Sequence, residues 1–285
     1  MRPSQWTRSA LCAVQYSPIM GITPKALAIS FLLLVTLGEV GGGHDLARVS
    51  ASLMCSAPGV VSHRGYQASG AENTLRAFQG ALDAGSGQVE LDVRFTRDHH
   101  PVLMHDDTVD RTTTGAGRVS DMSLAQFRAL RTTDGQRPPT LSAALELVRS
   151  RGGQVLVELK QIPGVSDLRT LQRDYRRLNA YGWASLMSFS PSAMQAVRSI
   201  PARKGLLATS APPTSLARKF AFVGIRYDNL TRARVRAYID AGVAVYAWTP
   251  NERNAWRRLA GYGVNRVVTD QTPAYLAWAA TTCRS

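Results

Sequence analysis

No stretch of this chain interleaves basic residues with aromatics, and that absence argues against a nucleic-acid partner. Acidic residues are also scarce. Asp and Glu number 20 against 34 Lys and Arg, a net +14 with a pI near 10.4, which favours anionic partners such as phosphodiesters, acidic lipid or wall polymer. The balance of 45% hydrophobic and 19% charged residues excludes long disorder, and no internal repeat appears in the folded part. The apolar run after Lys25, ALAISFLLLVTLG, is too short to span a bilayer comfortably. Its length and the glycines at Gly41–Gly43 behind it suit an export signal, with translation starting at Met1 or Met20 and cleavage between Gly38 and Ser56. An uncleaved anchor is the alternative. Residues 1–55 are thus read as signal peptide and linker, and 56–285 as one folded domain of an exported protein that meets the membrane only through its signal. Cysteine is sparse too: Cys12 lies in or before the signal, so only Cys55 and Cys283 remain to form a bridge, and they flank the folded region.

What the sequence does contain centres on Glu90 to Asp106, ELDVRFTRDHHPVLMHD. Successive side chains of a strand point to opposite faces, so Glu90, Asp92 and Arg94 share one side and Val89, Leu91, Val93 and Phe95 the other. Carboxylates on so apolar a strand are costly to bury without a cation, and acidic oxygen donors suit a hard divalent metal. A turn at His99 and His100, read as solvated, leads into PVLMHD, whose His105 returns an imidazole to the carboxylates. The strand QVLVELK repeats the logic, with Leu156, Glu158 and Lys160 on one face. Lys160 either joins the site or simply pairs Glu158.

From Gly59 onward short apolar strands alternate with helical stretches, the signature of a parallel α/β sheet or barrel. GVVSHRG opens the pattern, and ENTLRAFQGALDAG follows as an amphipathic helix with Leu75, Phe78 and Leu82 at helical spacing. The polar segment from Asp107 to Asp121 is too long for a tight connection and predicts an excursion over one mouth of the fold, completed by helices over 123–130 and 141–149. After QVLVELK come strands SLMSF, KGLLAT, FVGIRY, VAVYAWT and RVVTD, with helices over 167–181, 192–199, 231–241, 252–261 and 273–280. With PVLMHD set aside as a hairpin partner, eight strands remain, which predicts a TIM barrel with a small excursion after the second strand.

Taken in order, SHRG, ENT, VELDVRFTRDHHPVLMHDDTVDRTTTGAGRVSDM, VELK, SFSPSAM and AWTPN resemble the glycerophosphodiester phosphodiesterase family, secreted bacterial type, over residues 59 to 273. The resemblance implies a TIM barrel with its site at the carboxyl ends of the strands. It implies His63 and His105 as the acid–base pair, and Glu90, Asp92 and Glu158 as ligands of one divalent cation, calcium or magnesium. It implies Arg64 and Lys160 as phosphate contacts and Trp248 as an apolar wall beside the glycerol, unless that ring is plain core. Glu72 and Asn73 either lie close to the metal or cap the helix that follows. The implied reaction is attack of the glycerol C2 hydroxyl on phosphorus followed by hydrolysis of the cyclic phosphate, with His63 assigned as first base and His105 as acid. The products are glycerol 3-phosphate and an alcohol, and an exported enzyme could draw on deacylated phospholipids, lysophospholipids or wall polymer. Two departures from the usual pattern, Ala71 before ENT and Asn265 before the last strand, bear on loop conformation rather than chemistry.

Two other readings compete. Sister barrels of the phosphatidylinositol phospholipase C and sphingomyelinase D types cleave lipid phosphodiesters. A non-catalytic basic protein for anionic phosphodiester polymers is the second, disfavoured because every proposed ligand and both histidines are intact.

Overall fold

Alternating side chains decide which face of each strand is dry, and in residues 57–282, which the computed structural model describes, the alternation builds two concentric cores. The expected signal and its cleavage site, the Met20 start and the Cys55–Cys283 bridge lie outside the described residues. The parallel strands are β1 (Gly59–Ser62), β2 (Gln88–Phe95), β4 (Gln154–Leu159), β5 (Ala184–Ser188), β6 (Lys204–Ala208), β7 (Phe222–Arg226), β8 (Ala244–Trp248) and β9 (Arg266–Thr269). Each pairs with the next, and β1 pairs with both β9 and β2, so the sheet closes into the expected eight-stranded barrel. β3 (Pro101–Leu103) adds to β2 antiparallel as its hairpin partner.

Helices cover the outside: α1 (Leu75–Asp83), α3 (Leu141–Ser150), α4 (Val165–Leu178), α5 (Pro191–Ala196), α6 (Thr214–Ala217), α7 (Arg232–Asp240), α8 (Arg253–Tyr262) and α9 (Thr272–Thr282). Val89, Leu91, Val93 and Phe95 of β2, with Val155, Val157 and Leu159 of β4, pack outward against them. The inward positions of the later strands fill the barrel with Met187, Leu207, Phe222, Tyr246 and Val268. Phe222 stacks on Tyr246 with ring centroids 4.5 Å apart, and a Cβ on Gly205 would lie 2.1 Å from that ring, so glycine is what lets it sit across the floor. On β2 and β4 the inward positions include Glu90, Asp92 and Glu158, with Leu156 joining the apolar interior.

The excursion between β3 and β4 has its own small core of Val102, Met104, Val109, Val119 and Phe127, the last on helix α2 (Leu124–Ala129). α6, only four residues long, was not expected from the sequence. The turn histidines are not merely solvated: His99 Nδ1 lies 2.8 Å from Asp167 Oδ1, and Thr170 donates to the His99 carbonyl, which fastens the hairpin to α4. No helix among the described residues is long and apolar enough to cross a membrane.

Candidate active site

β2 and β4 run in a register that sets Asp92 beside Glu158. One carboxylate oxygen each from Glu90, Asp92 and Glu158 lies within 4.8 Å of the others, and all three side chains are buried. Two cations face them. Lys160 Nζ is 2.7 Å from Glu158 Oε1 and 3.5 Å from Asp92 Oδ1, and Arg64 Nε is 3.2 Å from Asp92 Oδ2. The two readings of Lys160 therefore coincide, since it pairs Glu158 inside the site.

Burial and its two carboxylate neighbours push the Glu90 carboxyl well above the usual range, and burial beside Asp92 raises Glu158 as well. Asp92 goes the other way. Burial works against its ionisation, yet Lys160, Arg64 and His105, with a hydrogen bond from Asn73, hold it down. Among the described residues Asp92 Oδ1 accepts no hydrogen bond. A buried oxygen whose nearest donor, Lys160, stands off at 3.5 Å, in an all-oxygen acidic set this close together, fits a hard divalent cation.

His63 follows β1 directly. Arg64 and Gly65 both take left-handed backbone (φ 54° and 85°), and a Cβ on Gly65 would lie 2.6 Å from the Ala77 carbonyl carbon, so the turn presenting His63 and Arg64 depends on glycine. Its Nδ1 lies 2.7 Å from Asp270 Oδ1, past the end of β9, and Asn251 donates to the other Asp270 oxygen at 2.7 Å. His105, just beyond β3, repeats the arrangement: its Nδ1 is 2.7 Å from Asp106 Oδ1, while Arg94 donates twice to its backbone carbonyl. An ionised carboxylate only accepts, so both rings carry their proton on Nδ1 and keep Nε2 for exchange. Burial lowers the His105 pKa below its ordinary value.

Glu72 and Asn73 do not cap α1, a role Thr74 fills by accepting from Ala77 N. Asn73 donates to Asp92 Oδ2 at 2.8 Å and accepts from Asp92 N, which fixes the carboxylate. Glu72 accepts from Arg64 at 3.2 Å and, through both oxygens, from Arg111 of the excursion. Arg111 also donates from Nε to Asp106 at 2.6 Å. Asp106, Arg111, Asp270 and Asn251 were not singled out from sequence, although each lies in or beside a quoted motif: HDD, DRTTTG, VVTD and AWTPN.

His63, Arg64, Glu90, His105, Glu158 and Lys160 line one side of a cavity of about 270 Å³. The other side is apolar: Trp248, held by its Nε1–H to the Gly224 carbonyl, meets Phe189 edge-on, and Met187, Leu207 and Tyr246 lie below. Of the expected site residues all converge here, Glu72 and Asn73 from behind the others. The arrangement joins a carboxylate set that could hold a metal ion, two carboxylate-oriented imidazoles, two cations and an apolar wall, a combination suited to a phosphate ester with a carbon backbone.

Comparison with known proteins agrees with this chemistry. Residues 63–274 match the model of the glycerophosphoryl diester phosphodiesterase family. A glycerophosphodiester phosphodiesterase of Caldanaerobacter subterraneus is 30% identical over 228 residues, 74% of this chain and 93% of that protein. The crystal structure of the Agrobacterium tumefaciens glycerophosphodiester phosphodiesterase superposes with a TM-score of 0.70 at 27% identity, over 78% of this chain and 99% of that one. A phosphodiesterase of Oleispira antarctica, determined in complex with the product sn-glycerol-3-phosphate, shares the fold with a TM-score of 0.72 at 24% identity, over 79% of this chain and 98% of that one.

Proposed function

The chain belongs to the glycerophosphoryl diester phosphodiesterase family, and from that premise we propose that it hydrolyses glycerophosphodiesters to glycerol 3-phosphate and an alcohol in a metal-dependent reaction with two histidines as acid and base. The observation that carries this reading is the convergence, on one barrel mouth, of three buried carboxylates with two imidazoles that each lean on a carboxylate of their own. Glu90, Asp92 and Glu158 would hold one divalent cation, calcium or magnesium. Bound there, it supplies positive charge that polarises the phosphoryl oxygens and acidifies a hydroxyl beside them.

Arg64 and Lys160, already beside the carboxylates, would turn their N–H donors to the phosphate oxygens. His63 Nε2 would take the proton of the glycerol C2 hydroxyl as its oxygen attacks phosphorus. His105 Nε2 would give a proton to the departing alcohol oxygen as that bond breaks. Water then opens the cyclic phosphate with the two roles reversed. Asp270 and Asp106 keep each ring in the tautomer that permits this. The Oleispira protein, with sn-glycerol-3-phosphate bound, supports the same product for this chain. Export, read from the apolar run after Lys25, completes the proposal and would bring the enzyme to extracytoplasmic phosphodiesters.

Phosphorus NMR of the products from glycerophosphocholine tests the assignment. Glycerol 3-phosphate with free choline is the expected pair. Choline phosphate would contradict it, and a cyclic lipid phosphate from a phospholipid would favour the sister phospholipase reading.

A further inference from the structure

The excess of positive charge is not spread evenly round the barrel. Residues 57–178 hold 16 Lys and Arg against 14 Asp and Glu, close to balance, whereas residues 179–282 hold 13 against 4. Those four acids are also engaged. Asp228 pairs with Arg226, Asp240 with Arg236 and Asp270 with His63, while Glu252 stands at the N-terminus of α8, where the helix dipole favours an acid. Of the 13 cations 11 are arginine, whose planar fork takes phosphate oxygens two at a time.

This charge gathers along the seam between α7 and α8. Because α7 buries Val235 and Tyr238, helical spacing sets Arg232, Arg236 and Ile239 together on one flank. Arg232 crosses to α8, donating to the Gly261 carbonyl at 2.5 Å with its guanidinium 5.5 Å from the Tyr262 ring centre. From α8, Arg258 lies 5.8 Å from the ring centre of Tyr227, in the turn after β7, and Arg257 next to it in sequence is exposed. Among the described residues none of Arg232, Arg257 and Arg258 pairs with a carboxylate. Ile239 sits at this seam, 38% exposed, with its Cδ1 over the Gly263 cap of α8, where a Cβ would meet it at 3.6 Å.

Unpaired arginines alone would suit any polyanion, but a soluble polyanion has nothing with which to cover an isoleucine. A bilayer containing anionic lipids offers phosphate at its surface and hydrocarbon just beneath. That pairing matches guanidinium groups steadied on tyrosine rings round one apolar side chain. We infer that the outer face formed by α7 and α8 docks the folded domain on anionic phospholipid bilayers, with Arg232, Arg257 and Arg258 on lipid phosphates and Ile239 entering the headgroup boundary. The docking is independent of the reaction at the barrel mouth and of the apolar run after Lys25.

Flotation of the purified full chain with vesicles tests it, using phosphatidylcholine alone or with about a third phosphatidylglycerol, at low and high salt. Phosphatidylcholine alone gives the baseline, which carries any contribution of the apolar run. Wild type should bind the anionic vesicles well above that baseline and lose the gain as salt rises. Arg257→Gln/Arg258→Gln should weaken anionic binding about 25-fold, at about fivefold for each cation near the surface. Ile239→Ser should weaken it roughly three- to tenfold. Arg128→Gln/Arg169→Gln removes the same charge from the balanced half and should leave binding within about twofold, and all variants should melt with wild type. Equal binding to both vesicles, or no response to salt, would overturn the inference. An equal loss in Arg128→Gln/Arg169→Gln would also overturn it, since net charge rather than this face would then be acting. Undiminished binding by Ile239→Ser would overturn insertion into a bilayer and assign the arginines to a soluble polyanion.

Discussion

Asp106 shows how much of this site is carried by single residues that touch no substrate. Its hydrogen bond from Arg111 outweighs partial burial, and with the one from His105 it holds the carboxyl down to about 2, so it stays an acceptor throughout the working range. Asp106→Asn preserves shape but offers an N–H to His105 Nδ1 and favours the wrong tautomer. We expect kcat for glycerophosphocholine to fall about 10- to 100-fold with little change in KM, together with a shifted pH–rate profile. An unchanged profile would mean that Asp106 is only structural. The depressed carboxyl also contributes stability above the unfolded aspartate range, about 3.9, that is lost as pH falls towards its folded value. His63 and His105 were legible from their motifs, as were the three carboxylates from strand alternation. Asp270 was not, because it meets His63 only when β9 closes against β1, which no local pattern encodes.

At the scale of elements, the excursion after the hairpin does more than cover the mouth. Arg111 clamps Glu72 through two nitrogens and Asp106 through a third, so one guanidinium steadies both the partner of Arg64 and the partner of His105. Arg111→Gln should lower kcat about 10- to 100-fold while leaving divalent-cation affinity, measured by calorimetry, unchanged. Arg111→Lys should rescue poorly, since a point charge cannot make three directed contacts. Full rescue by lysine would reduce the residue to a charge. Strands were legible because their period of two is strict where one face is dry. The excursion was legible only by its length, and α6 was missed because four residues carry no helical period. Glu72 and Asn73 were open to a capping reading because the residue that does cap, Thr74, stands next to them.

For the whole molecule, barrel closure concentrates acidic groups that the fold alone would rather keep protonated. Glu90 and Glu158 have raised values when folded and ordinary ones when unfolded, so without metal the contribution of these two groups to stability is largest at low pH and falls as pH rises from the unfolded carboxylate range, about 4.3, towards their folded values. Calcium or magnesium would bind the ionised set and remove that loss. The difference in melting temperature between metal-loaded and EDTA-treated protein should therefore widen from pH 4.5 to 7, reaching roughly 5 to 10 °C at a hundredfold excess over Kd. A gap independent of pH would contradict the raised carboxyls. The eight-stranded closure was legible from the count of short apolar runs, and the meeting of strand ends at one mouth follows from that topology.

The measurement that bears most directly on the site is glycerol 3-phosphate release from glycerophosphocholine by the purified protein after EDTA and again after calcium or magnesium is restored, beside His63→Ala. The expected result is release only with the cation present, and a loss of about 100- to 10,000-fold in the variant. Undiminished release in EDTA, or a His63→Ala enzyme as fast as wild type, would contradict the assignment of these carboxylates and this imidazole to the chemistry.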